Sequence, residues 1–284
     1  MRAFSASVQE VFREAAARWV LIAYFALSSL FILIFALGVN LDIVNGALAG
    51  AKLFGQAVDT GPDPVGIDKI VKGFESVFSF VLYPVGTFLA LFATAHLVPR
   101  LQEKGTIDLY LSRPVGRVPL LLSRFAGGLL LAAANVAYLI GSIWLIVVWK
   151  THVWHPQFLL SGLVILFMFA TLLAFAFLIG VITSSTGVSL MATYAMFFVA
   201  AALVARDHIA AAVSTETAAN VVKGLYWILP KTAEIGQATV ALVAGKDTPE
   251  RFAQIDYLAV YGSTAVFGAV ALGLSAWLFS RKDF

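Results

Sequence analysis

Long uninterrupted apolar runs constrain this chain more than any other feature. They fall at about 19–39, 78–98, 119–149, 158–182, 188–205 and 257–279. A helix needs roughly 20 apolar residues to cross the hydrocarbon layer of a bilayer. A segment inside that layer must also satisfy its own backbone hydrogen bonds, which leaves helices and closed barrels. The runs are continuous rather than alternating, which argues against a barrel. Composition agrees: of 284 residues, 61% are apolar and 12% are charged, about half the charge of a soluble domain. The sequence therefore predicts an all-α integral membrane protein of six transmembrane helices, with residues 1–284 forming one transmembrane domain.

The flanks of the runs add detail. In residues 3–18, Phe4, Val8, Phe12 and Ala15 fall on one helical face, and Gln9, Glu10, Arg13 and Glu14 fall elsewhere. That pattern predicts an amphipathic helix lying in the membrane interface. The first apolar run is longer than the roughly 7–15 residues of a signal-peptide core, so it reads as a retained span. Pro84 is expected to kink the second span. The third run is longer than a bilayer requires, so its start is expected outside the hydrocarbon, with Arg124 snorkelling to the interface. Residues 40–77 read as a loop rich in Gly and Asp. Within residues 206–256, two short apolar stretches, 221–229 and 234–244, flank Pro230. They predict a re-entrant helical hairpin at the outer face, the alternative being a small cap outside the membrane. Thr248-Pro249-Glu250 has the character of a helix start, placing the beginning of the last helix near Pro249.

Orientation follows from Lys and Arg. The side holding the N-terminus, residues 99–118, residues 183–187 and the C-terminus carries 10 Lys/Arg in roughly 50 residues, Arg124 included; the other side carries 9 in roughly 97. Both termini are therefore placed in the cytoplasm. The net charge of +3 is divided among loops and is read as topology rather than as nucleic-acid binding.

Several chemistries are disfavoured. The chain has no cysteine, which removes disulfides, thiol catalysis and Cys-ligated metals. No phosphate-binding loop of the form G-x-x-x-x-G-K-[ST] is present; Gly245-Lys246-Asp247 is a fragment of one. His152 and His155 are three apart but have no third ligand beside them, and they read as part of a polar interfacial loop flanked by Trp149 and Trp154. No acidic residue falls well inside a predicted span, which speaks against a carboxylate relay. Ala133, Ala137 and Gly141, and likewise Ala265, Ala269 and Gly273, are spaced for close helix approach, although an Ala- and Gly-rich chain produces such spacing by chance.

The segment between the second and third runs is the most informative. It reads Glu103-Lys104-Gly105-Thr106-Ile107-Asp108-Leu109-Tyr110-Leu111-Ser112-Arg113-Pro114-Val115-Gly116-Arg117, followed by Leu121-Leu122-Ser123-Arg124-Phe125-Ala126-Gly127. Gly105 interrupts the preceding helix, Thr106 caps a short one with Asp108 in its first turn, and Pro114 ends it. The result is a docking surface outside the bilayer, or a basic loop that only sets topology.

This run, with the terminal Phe279-Ser280-Arg281-Lys282-Asp283-Phe284, resembles the permeases of ABC type-2 transporters. The resemblance covers about 25 residues in motif and most of the chain in layout. It implies a permease subunit of an ATP-driven exporter that pairs with a second permease copy, as a homodimer or with a related chain, in the cell membrane. It also implies docking of a separate cytoplasmic ABC ATPase, which carries the ATP and Mg, so that this chain needs no cofactor and is not itself an enzyme. Carried over by position, the ATPase-coupling residues are Glu103, Gly105, Thr106, Asp108, Leu109, Leu111, Arg113 and Pro114. Two rival expectations remain: a membrane-embedded enzyme acting on lipids, and a non-transporting assembly subunit of a membrane complex. The cargo is unspecified, and the expected partners are membrane lipids and proteins rather than nucleic acid.

Overall fold

The structure is a computed structural model that describes residues 19–44, 47–53, 56–58, 67–103, 116–212, 215–248 and 255–282. The helices are α1 (Trp19–Gly38), α2 (Ile67–Thr94), the short α3 (Leu97–Leu101), α4 (Arg117–Thr151), α5 (Gln157–Thr183), α6 (Thr186–Ala202), α7 (Arg206–Ala212), α8 (Glu216–Ile228), α9 (Thr232–Ala244) and α10 (Tyr257–Arg281). Among the described residues, five stretches are long and apolar enough to cross a membrane: Ile67–Leu101, α4, α5, Thr186–Ala212 and α10. A shorter apolar stretch, Ile22–Leu37, lies within α1. The architecture of membrane-crossing helices read from the apolar runs therefore stands, with three short strands beside it. The expected interfacial helix at 3–18 lies outside the described residues.

α5 is the hub. It packs against α2, α4, α6, α9 and α10 and buries Phe158, Ile165, Met168, Phe169, Leu172 and Phe177. A helix that is apolar all round belongs at the centre of a bundle, and α5 has no charged residue. α1 instead leaves Trp19, Ile22, Leu33 and Leu37 exposed, as a helix bordering lipid does. Hydroxyls within the helices bond back to their own backbone: Thr87 to Tyr83 O at 2.5 Å, Thr94 to Ala90 O at 2.7 Å and Thr239 to Ile235 O at 2.8 Å. Such bonds satisfy a polar group where no water is at hand.

Four sequence expectations need correction. First, residues 40–77 are not only loop. β1 (Val39–Val44), β2 (Ala47–Leu53) and β3 (Gln56–Val58) form an antiparallel meander in the order β1-β2-β3, with a bulge between Asp42 and Ile43. α2 then begins at Ile67, well before the apolar run that announced it.

Second, α8 and α9 stand where a hairpin is expected, but they are unequal and pack mainly on different neighbours, α8 on α7. α8 buries none of its residues, whereas α9 buries Thr232, Ile235, Gly236, Thr239 and Val243 among others. α9 packs on α2, α5 and α6. Its entry is fixed on three sides: Tyr83 Oη donates to Thr232 O at 2.7 Å, Thr232 Oγ1 to Phe197 O at 3.1 Å and Lys231 N to Thr264 Oγ1 at 3.0 Å. Tyr83 is 16 residues into α2, so the start of α9 sits about 24 Å along that helix.

Third, the small-residue stripes face outward. Nothing lies within 4 Å of a Cβ built on Gly141 or Gly273. α10 packs instead through Val260, Thr264, Gly268, Ala271, Ser275 and Phe279. A Cβ on Gly268 would approach Thr171 Cα at 3.3 Å.

Fourth, α10 begins at Tyr257 rather than running on from Pro249: Ile255 and Asp256 precede it outside any helix, and Asp256 Oδ1 caps it by accepting from Ala259 N at 3.1 Å. Pro249 itself lies outside the described residues. Thr248 Oγ1 instead donates backwards, to Ala241 O at 3.3 Å.

Candidate functional site

The segment expected to carry coupling is framed on both sides. On its N-terminal side, α3 buries Leu97, Val98, Pro99 and Leu101, so the chain enters from a fixed position. Pro99 lies so close to α5 that a Cβ on Gly180 would meet its Cδ at 3.3 Å. Gln102 follows. Its Nε2 donates to Gly180 O at 2.8 Å, while its Oε1 accepts from Ser184 Oγ at 3.0 Å and from Lys282 Nζ at 2.5 Å.

Lys282 stands just past α10. Its Nζ also donates to Val181 O at 2.7 Å and to Ser184 Oγ at 2.9 Å. Gly180 and Val181 are in the last turn of α5, where helix carbonyls run short of intrahelical partners; Gly180 O also receives the cap N–H of Ser184 at 2.9 Å. A lysine there also complements the negative end of the helix dipole. Burial lowers the Lys282 ammonium below its ordinary pKa. On the C-terminal side of the segment, Arg117 opens α4. It donates through one terminal guanidinium nitrogen to Ser280 O at 3.1 Å and to Lys282 O at 2.8 Å. Gln102 and Arg117, the two flanks of residues 103–116, are thus both tied to Lys282.

The turn between α5 and α6 makes this possible. Ser184 has φ 53°, in the left-handed region, and closes α5, while Ser185 Oγ accepts from Val188 N at 3.5 Å to open α6. A two-residue turn keeps both helix ends level with Gln102.

Of the expected coupling residues, Glu103 is described. It is exposed, and its backbone N–H donates to Arg100 O at 3.2 Å. Gly105, Thr106, Asp108, Leu109, Leu111, Arg113 and Pro114 lie outside the described residues. Arg124 does not snorkel: it is 2% exposed, because α4 turns that face toward its neighbours rather than outward. Sequence reasoning singled out neither Gln102 nor Ser184, and took Lys282 and Arg117 only as part of a motif. Their partners lie 78 to 180 residues away, so no local pattern reports them.

A second polar cluster lies at the opposite end of α2. Glu75, 1% exposed, contacts the Nδ1 of buried His155 through Oε2. Glu75 is inside a helix long enough to span, so one acidic residue does sit in such a helix, contrary to the expectation. The apolar run begins at Phe78, but the helix begins at Ile67. His155 is held from the other side too: Trp144 Nε1 donates to its carbonyl at 3.1 Å, and Trp144 packs edge-on against Trp154 at 4.6 Å. Burial lowers the His155 pKa, and Lys72 lowers it further while Asp68 opposes them. His152 is separate from this cluster: it is exposed, at φ 57°, and closes α4.

One family comparison covers nearly the whole chain. The model of the ABC-2 family transporter proteins matches residues 12–284. No curated protein is similar enough to match. The family match and the apolar helices agree: this is a multi-pass membrane protein and a permease component of an ABC transporter, and the chain belongs to the ABC-2 transporter family.

Proposed function

We propose that the chain is the permease subunit of an ATP-driven exporter, and that residues 103–116 dock a separate cytoplasmic ABC ATPase. The observation that carries this reading is the double attachment to Lys282. Because Gln102 and Arg117 both bond to it, a displacement of the intervening segment is delivered to α3, α4, the α5–α6 turn and the end of α10 together. A loop that only set topology would need no such frame. Glu103, Gly105, Thr106, Asp108, Leu109, Leu111, Arg113 and Pro114 are the proposed contacts, with the charged pair Asp108 and Arg113 giving the dock its polarity. ATP and Mg belong to the partner in this reading, both termini are cytoplasmic, and a second permease copy completes the unit in the cell membrane.

The test is a charge exchange at Asp108 and Arg113 in the full complex. Loss of co-purifying ATPase and of ATP-dependent flux in reconstituted vesicles supports the reading. Retention of both overturns the assigned coupling role. An ATPase that still binds without any flux favours an assembly subunit.

A further inference from the structure

An open pocket of about 480 Å³ lies by the first turns of α2, at the end of that helix away from α3. Three stretches far apart in sequence build it: Lys72 from α2, residues 154–157 from the α4–α5 turn, and residues 244–246 at the end of α9. Among the described residues no carboxylate lines it, whereas two ammonium groups, an imidazole and the Gln157 amide do. The imidazole is its fixed part. His155 is 7% exposed, its Nδ1 is turned to the buried Glu75, and its carbonyl receives Trp144 Nε1 at 3.1 Å. With Nδ1 committed, Nε2 is the ring nitrogen left for the pocket that His155 lines. It is not among the partnerless polar atoms sealed inside the protein. Lys72 stands one turn before Glu75 on α2, and Ser76 Oγ donates to the Lys72 carbonyl at 2.6 Å.

We propose that this pocket binds an oxyanion, a phosphate, sulfate or carboxylate group, between Lys72, Lys246 and the Nε2 of a protonated His155. Three observations carry this. The volume falls within the roughly 300–1,000 Å³ of small-molecule sites. The charged groups on the wall are ammonium and imidazole; ammonium and imidazolium donate hydrogen bonds and accept none, and bonds from such donors to oxyanions are shorter and stronger than neutral ones. The imidazole is held from behind by Glu75 and Trp144, so one donor is set in place before any ligand arrives.

Binding is linked to a proton. Across a neutral ring the Glu75 carboxylate would repel an anion; with a proton on each nitrogen, the ring donates to both. In the empty pocket, burial and Lys72 resist that protonation while Asp68 favours it, and Lys246 faces the same space from the end of α9. A bound anion turns the balance, because an opposite charge favours the charged form. Affinity therefore rises as pH falls from about 7.5 to 5. Lysines alone, which titrate near pH 10.4, give no such rise. The inference rests on the fold and not on the ATPase.

The test is an NMR titration of the imidazoles in the purified full-length chain, isotope-labelled at histidine, in maltoside micelles free of phosphate. The chain has four histidines. His152 is exposed and does not line the pocket, so it is the internal control. His155→Gln assigns the His155 signal; if that variant does not fold, replacing His96, His152 and His208 one at a time assigns it by elimination. The first probe is inorganic sulfate, which keeps its charge across this pH range, against chloride at equal ionic strength. The second is phosphatidylglycerol added to the micelles. The expected result is a saturable rise of the His155 midpoint by about one pH unit, with His152 unmoved. Lys246→Met, at an exposed side chain, should raise the half-saturating concentration roughly tenfold. A response to sulfate supports a soluble oxyanion as the occupant, and a response to phosphatidylglycerol alone supports a lipid headgroup. A His155 midpoint that neither probe moves, or that moves in step with His152, overturns the proposal. So does a response indifferent to Lys246.

Discussion

Among the described residues beside the segment 103–116, Lys282 joins more of the molecule than any other single side chain. One ammonium serves Gln102 Oε1, Val181 O and Ser184 Oγ, and its own carbonyl receives Arg117. Lys282→Met keeps much of the apolar stem and removes every donor. It is expected to destabilise the folded chain by about 1–3 kcal/mol, read as a lowered Tm in detergent, and to reduce ATP-dependent flux by more than it reduces ATPase binding.

His155 is the second residue with a definite consequence. Its folded-state pKa is lowered by burial and by Lys72, against Asp68. The unfolded chain, at about 6.5, therefore takes up this proton first as pH falls. Stability is fully present above that value and declines as pH drops below it toward the folded pKa. Because Glu75 lies against His155 Nδ1 and titrates as well, the His155 contribution is read as the difference between Tm series of the parent and of His155→Gln from pH 7.5 to 5, a difference that should shrink as pH falls. A series as steep in the variant as in the parent removes His155 as the cause.

At the scale of elements, close approach rather than small-residue spacing decides which glycines matter. A Cβ on Gly236 meets the Tyr83 ring at 3.2 Å, and one on Gly268 meets Thr171 Cα at 3.3 Å, whereas one on Gly273 meets nothing within 4 Å. Gly236→Val and Gly268→Val should each cost about 1–3 kcal/mol of overpacking, and Gly273→Val should cost far less. Thermal unfolding of the three checks the order; equal effects would refute the packing assigned to α9 and α10.

This is also where sequence legibility divides. Helices α4, α5, α6 and α10 were plain because an apolar run of spanning length has few alternatives. The meander at 39–58 was not: Ala47-Leu48-Ala49-Gly50-Ala51-Lys52-Leu53 lacks the β-branched and aromatic residues that mark strands. The start of α2 was hidden because its first turns, Ile67-Asp68-Lys69-Ile70-Val71-Lys72, alternate charge with apolar residues.

Across the whole molecule, the hub position of α5 and the insertion of α9 follow from pairings that composition cannot express. An exposed α8 and a buried α9 look alike as short apolar stretches around Pro230. The candidate site divides the same way. The motif at 103–117 was legible as a resemblance, while the frame around it depends on partners brought together only by folding. Glu75 and His155 are 80 residues apart, and neither carries a local mark of the other.

The most direct test of the central claim is co-purification from the native membrane. The tagged chain, gently extracted, should bring down an ATPase bearing a phosphate-binding loop, and changing Asp108 and Leu111 together to Ala should release it while the chain stays folded. A chain that arrives without an ATPase, or one whose ATPase is retained by the double variant, would contradict the account.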